Sequence, residues 1–189
     1  MATKLLILGL LMEKARHPYE IRQMIKARNW DHVFQLKDGS LYYAVDQMKQ
    51  EGFIEITETI PVPGNNRPDK TVYTITELGK TAFLERLYDK LELDAYPQHP
   101  LFIGLPFAGH ADQRVMEQIL VRKMKTCEQR VTRLKGVLEL KGDTIPLGAR
   151  HLIQGMIRFS ETESEWLADV LKDAQAGKLS SCGEHEQKE

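Results

Sequence analysis

The chain has 189 residues, 42% hydrophobic and 28% charged, with a formal net charge of −1. That is room for one core-bearing domain plus an appended element of ordinary soluble composition, and it excludes a chain that holds polyanions through bulk positive charge. Two cysteines, Cys127 and Cys182, stand far apart with no export signal before them, which favours a reduced, cytoplasmic protein. The apolar run Leu5 to Met12 predicts a buried first helix over Thr3–Glu13. It is far shorter than a membrane span, lacks a small-residue cleavage site, and is followed at once by Glu13 and Lys14. Pro18, well suited to the first turn of a helix, opens a second one over Pro18–Arg28.

From Asp38 to Glu51, Leu41, Val45 and Met48 fall at i, i+4 and i+7, one apolar stripe with Gly52 as its C-terminal stop. The other face of that helix stays polar. Phe53 to Thr59 then alternates as a strand through Phe53, Ile54 and Ile56, and Thr71 to Ile75 answers through Val72, Tyr73 and Ile75. Between them, Ile60 to Lys70 is a loop by composition, with Pro61, Pro63, Gly64, Asn65, Asn66 and Pro68, and it ends on the cations Arg67 and Lys70. Thr76 is placed to cap a helix over Glu77–Leu93, with Glu77 at the positive end of its dipole. Leu78, Phe83, Leu84, Leu87 and Leu91 supply that helix's packing face.

Helix, turn, two strands around a polar loop, and a further helix, in that order, make a winged helix-turn-helix. A cationic wing is what a phosphate backbone needs. Taken together, Ile7-Leu8-Gly9-Leu10-Leu11, His17-Pro18-Tyr19-Glu20-Ile21, Gly39-Ser40-Leu41-Tyr42-Tyr43, Glu51-Gly52-Phe53-Ile54, the run Arg67 to Thr76, and Gly79 resemble the PadR family of transcriptional regulators. The likeness is close over roughly the first 90 residues and architectural beyond them. It departs at His17-Pro18-Tyr19, where the family often has a His-Gly-Tyr or Ser-Gly-Tyr triplet.

Asp94 to Gly109 holds Pro97, Pro100, Pro106, Gly104 and Gly109 and cannot be one long helix. The domains expected are a DNA-binding head at 1–93, a linker at 94–109, a helical dimerisation domain at 110–176 and a disordered tail at 177–189. In the helical part Leu120, Met124, Cys127, Val131, Leu134 and Leu138 step by 4, 3, 4, 3 and 4, the spacing of a coiled-coil seam that needs a partner. A last helix, about Leu147–Ala174, carries Leu152, Ile153, Met156, Phe159, Trp166, Leu167, Val170 and Leu171 around one broad face. The resemblance implies that such helices embrace a second subunit. The fold class expected is mainly α with a small β-hairpin, a winged head plus antiparallel C-terminal helices forming a dimer.

Charge argues against DNA binding at first sight, since residues 1–80 carry 11 Lys and Arg against 10 Asp and Glu. Placement decides: Lys14, Arg16, Arg22, Lys26, Arg28, Lys49, Arg67 and Lys70 could make a local positive rim, doubled in a dimer. On the recognition helix, Tyr42 and Tyr43 have hydroxyls for phosphates, Ser40 sits at its start, and Gln47 or Gln50 can read an adenine edge. Asp46 reads as an intramolecular orienter. Each has a plain alternative as a core ring or a solvated side chain.

The family includes members that sense phenolic acids or bulky aromatic compounds, so the resemblance implies effector contacts from among Tyr19, Trp30, Phe34, Phe102, Phe107, His151 and Trp166, although residues of this kind are more often plain core. Cys182 and His185 sit in a polar tail without a second pair at zinc spacing, and no phosphate-cradling loop, nucleophile elbow or His-Glu-x-x-His is present. No metal, cofactor or catalytic site is expected. The expected partners are an inverted-repeat operator in double-stranded DNA, a second copy of the chain and a small effector, with no membrane. The reading is a dimeric repressor released by an effector. Its alternatives are an activator or co-regulator working with a second transcription factor, and a winged helix used only to bind protein.

Overall fold

A computed structural model of the chain describes residues 2–28, 30–34, 38–60, 70–95 and 98–180. Two compact units divide it, 1–96 and 97–189. The first contains α1 (Ala2–Glu13), α2 (Pro18–Ala27), α3 (Trp30–Val33), α4 (Asp38–Gln50), β1 (Ile54–Ile60), β2 (Lys70–Ile75) and α5 (Glu77–Glu92). The expected helices and strands are there, with a four-residue helix, α3, that the sequence did not announce. The wing loop 61–69 lies outside the described residues.

Sequence explains the joints of this unit. Pro18 opens α2, and His17 caps it by accepting the Tyr19 amide at Nδ1, 3.1 Å away. After α4 the chain turns at Gly52, whose φ of 74° is left-handed and suits glycine. Phe53 N–H closes that turn by donating to the Met48 carbonyl at 2.9 Å. β1 and β2 are antiparallel, with Ile54 opposite Ile75 and Ile56 opposite Tyr73, and the register slips between Ile56 and Glu58. A short extra rung joins β2 to the α1–α2 connection, where Arg16 and Tyr73 exchange backbone bonds of 2.9 and 3.0 Å.

The core gathers α1 (Ile7, Leu8, Leu10, Leu11), α2 (Ile21, Ile25), the α4 stripe (Leu41, Val45, Met48) and the base of the hairpin (Ile54, Tyr73, Ile75). Thr76 caps α5 and ties it back: its hydroxyl oxygen accepts the Gly79 amide at 3.0 Å and its proton goes to the Gly52 carbonyl at 2.7 Å. Gly79 itself lies against the Phe53 backbone so closely that an added Cβ would sit 2.0 Å from the Phe53 oxygen.

The second unit is an antiparallel hairpin of α6 (Gln113–Lys141) and α7 (Leu147–Gln175), preceded by a 3-10 turn at Leu105–His110 and followed by another at Lys178–Ser180. Asp112 caps α6 by accepting the Val115 amide at 2.9 Å. The 4-3-4 stripe on α6 packs inside the chain. Leu120 and Cys127 are buried with Leu167 and Ala174 of α7, and Met124, Trp166, Val170 and Leu171 close around them. Leu134 is buried, while Val131 and Leu138 are half-buried. The segment expected as a linker contributes Leu101 to this cluster, and Leu179, from the stretch expected as a tail, packs there too. Cys182 and His185, with the rest of 181–189, lie outside the described residues.

Gly79→Ala tests the tightest joint. The methyl has no room without moving the Phe53 backbone, so a loss of about 1–3 kcal/mol or more is expected, read as a lowered midpoint in urea. An unchanged midpoint would show that the contact is slack.

Candidate nucleic-acid interface

With Leu41, Ala44, Val45 and Met48 turned into the core, the roughly 100° step per residue of an α-helix puts Gly39, Tyr43, Asp46 and Gln50 on the opposite side of α4. Tyr42 and Lys49 fall on one flank, Ser40 and Gln47 on the other. Tyr43 is 65% exposed and Tyr42 46%, so both rings stand largely outside the core. Gln50 and Lys49 are exposed, while Ser40 and Gln47 are half-buried. These two, with Tyr43, line a groove of about 810 Å³ whose charged walls are Lys4 of α1 and Glu85, Arg86, Asp89 and Lys90 of α5. Gln47 Nε2 donates to Tyr43 Oη across 2.8 Å.

The acidic side chains on and near α4 divide. Glu51, at its end, chelates the Lys4 ammonium at 2.7 and 2.8 Å. Asp46 is exposed on the outer side of the helix; burial and then the Asp46 charge push the Tyr73 phenol up. The cations divide. Arg16, expected on the rim, is instead buried, with Nε on the Leu10 carbonyl at 3.1 Å and Nη2 on Glu13 at 2.5 Å. Arg28 also pairs with Glu13, at 3.2 Å, and covers the Trp30 ring at 4.8 Å. Lys49 and Lys70 are exposed, and Arg67 lies outside the described residues.

The aromatic residues expected around an effector divide between the units. In the first, Trp30 packs on the core and meets Phe34 edge-on at 6.3 Å, and Tyr19 is 48% exposed. In the second, Phe102 and Trp166 meet at 5.4 Å and share His99, at 5.7 and 4.9 Å. Phe107 and His151 are exposed and stand outside that trio. Among the described residues no group of His, Cys, Asp and Glu converges as a metal ion would require, and no helix is long and apolar enough to cross a membrane.

Residues 7–85 match the model of the transcriptional regulator PadR-like family. An uncharacterised protein of Lysinibacillus sphaericus is 37% identical over 82 residues, 43% of this chain and 71% of that protein. The chain belongs to the PadR-like family of transcriptional regulators. Its fold agrees over nearly the whole length with solved structures. Bacillus subtilis PadR in complex with operator DNA superposes with a TM-score of 0.72 at 18% identity, over 92% of this chain and 99% of that one. The same protein with p-coumaric acid gives 0.72 at 17%, over 93% and 99%. A PadR-like regulator from Bacillus cereus gives 0.68 at 20%, over 92% and 98%. A PadR-like chain is a DNA-binding regulator of transcription and not an enzyme.

The helical unit of this PadR-like regulator also holds a polar network that sequence reading missed. Glu163 of α7 is hydrogen-bonded to His99 Nε2 at 3.1 Å and to Arg130 Nη1 at 3.1 Å, and Arg130 also satisfies the fully buried Ser160 at 3.2 Å. The Leu101 amide donates to His99 Nδ1 at 3.2 Å, so Nε2 carries the proton that faces Glu163. The Cys127 thiol is buried, and that burial, followed by the charge of the nearby Glu163, pushes it up. Two i, i+3 pairs, Cys127/Arg130 on α6 and Ser160/Glu163 on α7, were its sequence signal. Nothing in the spacing showed that they face each other.

Burial alone would raise the Glu163 carboxyl, but the His99 bond, the Arg130 charge and the remaining donors outweigh it and hold the group below its ordinary value. A lowered carboxylate stabilises the fold above the unfolded glutamate value of about 4.3 and loses that contribution as pH falls through the folded value. Stability of the full chain should therefore drop on acidification. Glu163→Gln should lower stability near neutrality and flatten this part of the curve, measured by urea midpoints across pH; a parallel curve would remove Glu163 from the account.

Proposed function

We propose that the chain is a cytoplasmic, homodimeric repressor that binds an inverted-repeat operator through α4 and the wing and is released by a small aromatic effector. The observation that carries the reading is the uncovered outer side of α4, where Tyr42, Tyr43, Lys49 and Gln50 face solvent beside a cation-bearing hairpin. Phosphate contacts from hydroxyls and cations would set the register, and polar side chains of the helix would read base edges.

Dimerisation is supported by what the helical hairpin leaves uncovered. The α6 stripe is filled by α7, yet Leu140 is 86% exposed, Leu147 66% and Phe159 80%, all in the half of the hairpin nearer its turn. Large apolar side chains left this exposed mark an interaction surface, and a second copy is the occupant we assign. The likeness to a protein solved with operator DNA and with p-coumaric acid supports a repressor with an aromatic effector. The Phe102, Trp166 and His99 rings are the cluster best fitted to take one up.

Light scattering on the full chain should give a dimer, and Phe159→Glu with Leu147→Glu should give a folded monomer. Lys70→Ala should weaken binding to every duplex and flatten the dependence of log K on log salt by roughly one unit per lost phosphate contact. An aromatic acid that releases DNA should shift tryptophan emission, and DNA should weaken its binding by the same factor. A chain that footprints a promoter only beside a second transcription factor would instead be a co-regulator. Binding that ignores salt would remove DNA from the reading.

A further inference from the structure

Of the two glutamines on α4 that could read bases, Gln47 is the one whose position fits that role less. It is half-buried on the flank that turns toward α1 and α5, in the groove with Ser40 and Lys4, and its amide nitrogen is already bonded to Tyr43 Oη at 2.8 Å. Reading an adenine edge takes an amide that presents donor and acceptor together to the base. For Gln47 that means leaving the groove and breaking this bond. The two residues are spaced i, i+4, stacked on one face of the helix, so the bond is local and costs no rearrangement.

Tyr43 lines the same groove, but its ring is 65% exposed on the side of α4 away from the core. In this pair the phenol oxygen accepts from Gln47 and keeps its own proton. A phosphate oxygen can only accept. The order Gln47 N–H to Tyr43 O–H to phosphate is thus the one in which every donor meets an acceptor. A hydroxyl that accepts one bond also donates more strongly, by about 10–30% for each bond in such a chain.

We infer that Gln47 is a positioning residue that aims the Tyr43 hydroxyl at a DNA phosphate, and does not itself read sequence. This rests on the DNA-binding reading of α4. It divides labour along the helix: Tyr43 and Gln47 fix register on the backbone, and sequence discrimination falls to the other exposed polar side chains, Gln50 among them. Because neither Tyr43 nor Gln47 is charged, the contact contributes affinity without adding to the salt slope.

The test uses the full chain and a duplex that the unaltered chain selects from a randomised pool, with a scrambled duplex of the same composition beside it. Tyr43→Phe, which keeps the ring and its packing, and Gln47→Leu are measured alone and together. Hydrogen bonds to charged groups are worth about 1.5–3 kcal/mol, so Tyr43→Phe should weaken binding by about tenfold or more. Gln47→Leu should lose part of that, and the double variant should lose no more than Tyr43→Phe alone. The ratio of selected to scrambled affinity and the salt slope should stay unchanged throughout. A methylphosphonate scan should find one phosphate in each half-site whose neutralisation costs the unaltered chain affinity and costs the Tyr43→Phe chain nothing. If Gln47→Leu changes sequence preference, or if the two losses add, Gln47 acts on DNA by itself and the inference is overturned. If the unaltered chain selects no duplex, the DNA-binding reading fails and takes this inference with it.

Discussion

The backbone of Phe53 against Gly79 is the contact on which the geometry of the first unit depends. α4 ends at Gly52, β1 starts at Ile54, and α5 begins after β2, so three elements converge on a few residues. With no side chain at Gly79, α5 can approach until its backbone touches that of Phe53, and the Thr76 hydroxyl bridges the remaining gap by serving the α5 amide and the Gly52 carbonyl at once. The direction in which the hairpin leaves α4 is thereby fixed by backbone atoms. Side chains on the outer face of α4 and along β1 are relieved of packing duty. That freedom explains how Tyr42, Tyr43, Ile56 and Ile60 can be 40–65% exposed in a unit with a closed core.

Charge is organised by the same economy of place. Glu13 neutralises Arg16 and approaches Arg28, while Glu51 is held by Lys4. The near balance of charges over the first 80 residues is therefore a poor guide to what the outer surface presents, because several of those charges cancel one another inside or along the unit. Arg16 shows the limit most clearly. Its guanidinium looks like a rim cation in sequence, and only the backbone rung to Tyr73 reveals why it lies underneath the hairpin.

Periodicity carried most of the fold into view: the stripe Leu41, Val45, Met48 names a buried face, whereas of the alternation Ile54, Ile56 only Ile54 is buried. Helix α3 escaped because four residues are too few for a 3.6-residue repeat to register. The stripe Leu120, Cys127, Leu134 was legible as a face requiring cover, but a heptad pattern states only that something apolar packs there. The cover comes from Leu167, Val170 and Leu171 of the same chain. Side-chain pairing was less visible still. The Gln47–Tyr43 bond follows from a spacing of four, whereas the meeting of His99, Cys127, Arg130 and Glu163 depends on how α6 and α7 are aligned, which no local pattern encodes.

The helical unit then makes physical sense as a frame whose interior is pinned at one level by polar bonds and elsewhere by apolar contact. A half-buried carboxylate bonded by an imidazole and a guanidinium favours one alignment of its helices, since a shift along either axis leaves a donor or acceptor unpaired. Apolar stripes alone tolerate such shifts far better. His99 extends this fixed register to the stretch that enters the unit, through the Leu101 amide and the Phe102 and Trp166 rings. An aromatic ligand that displaced Phe102 from Trp166 would therefore disturb the same residues that hold His99 against Glu163. Packing and polar register would then have to change together.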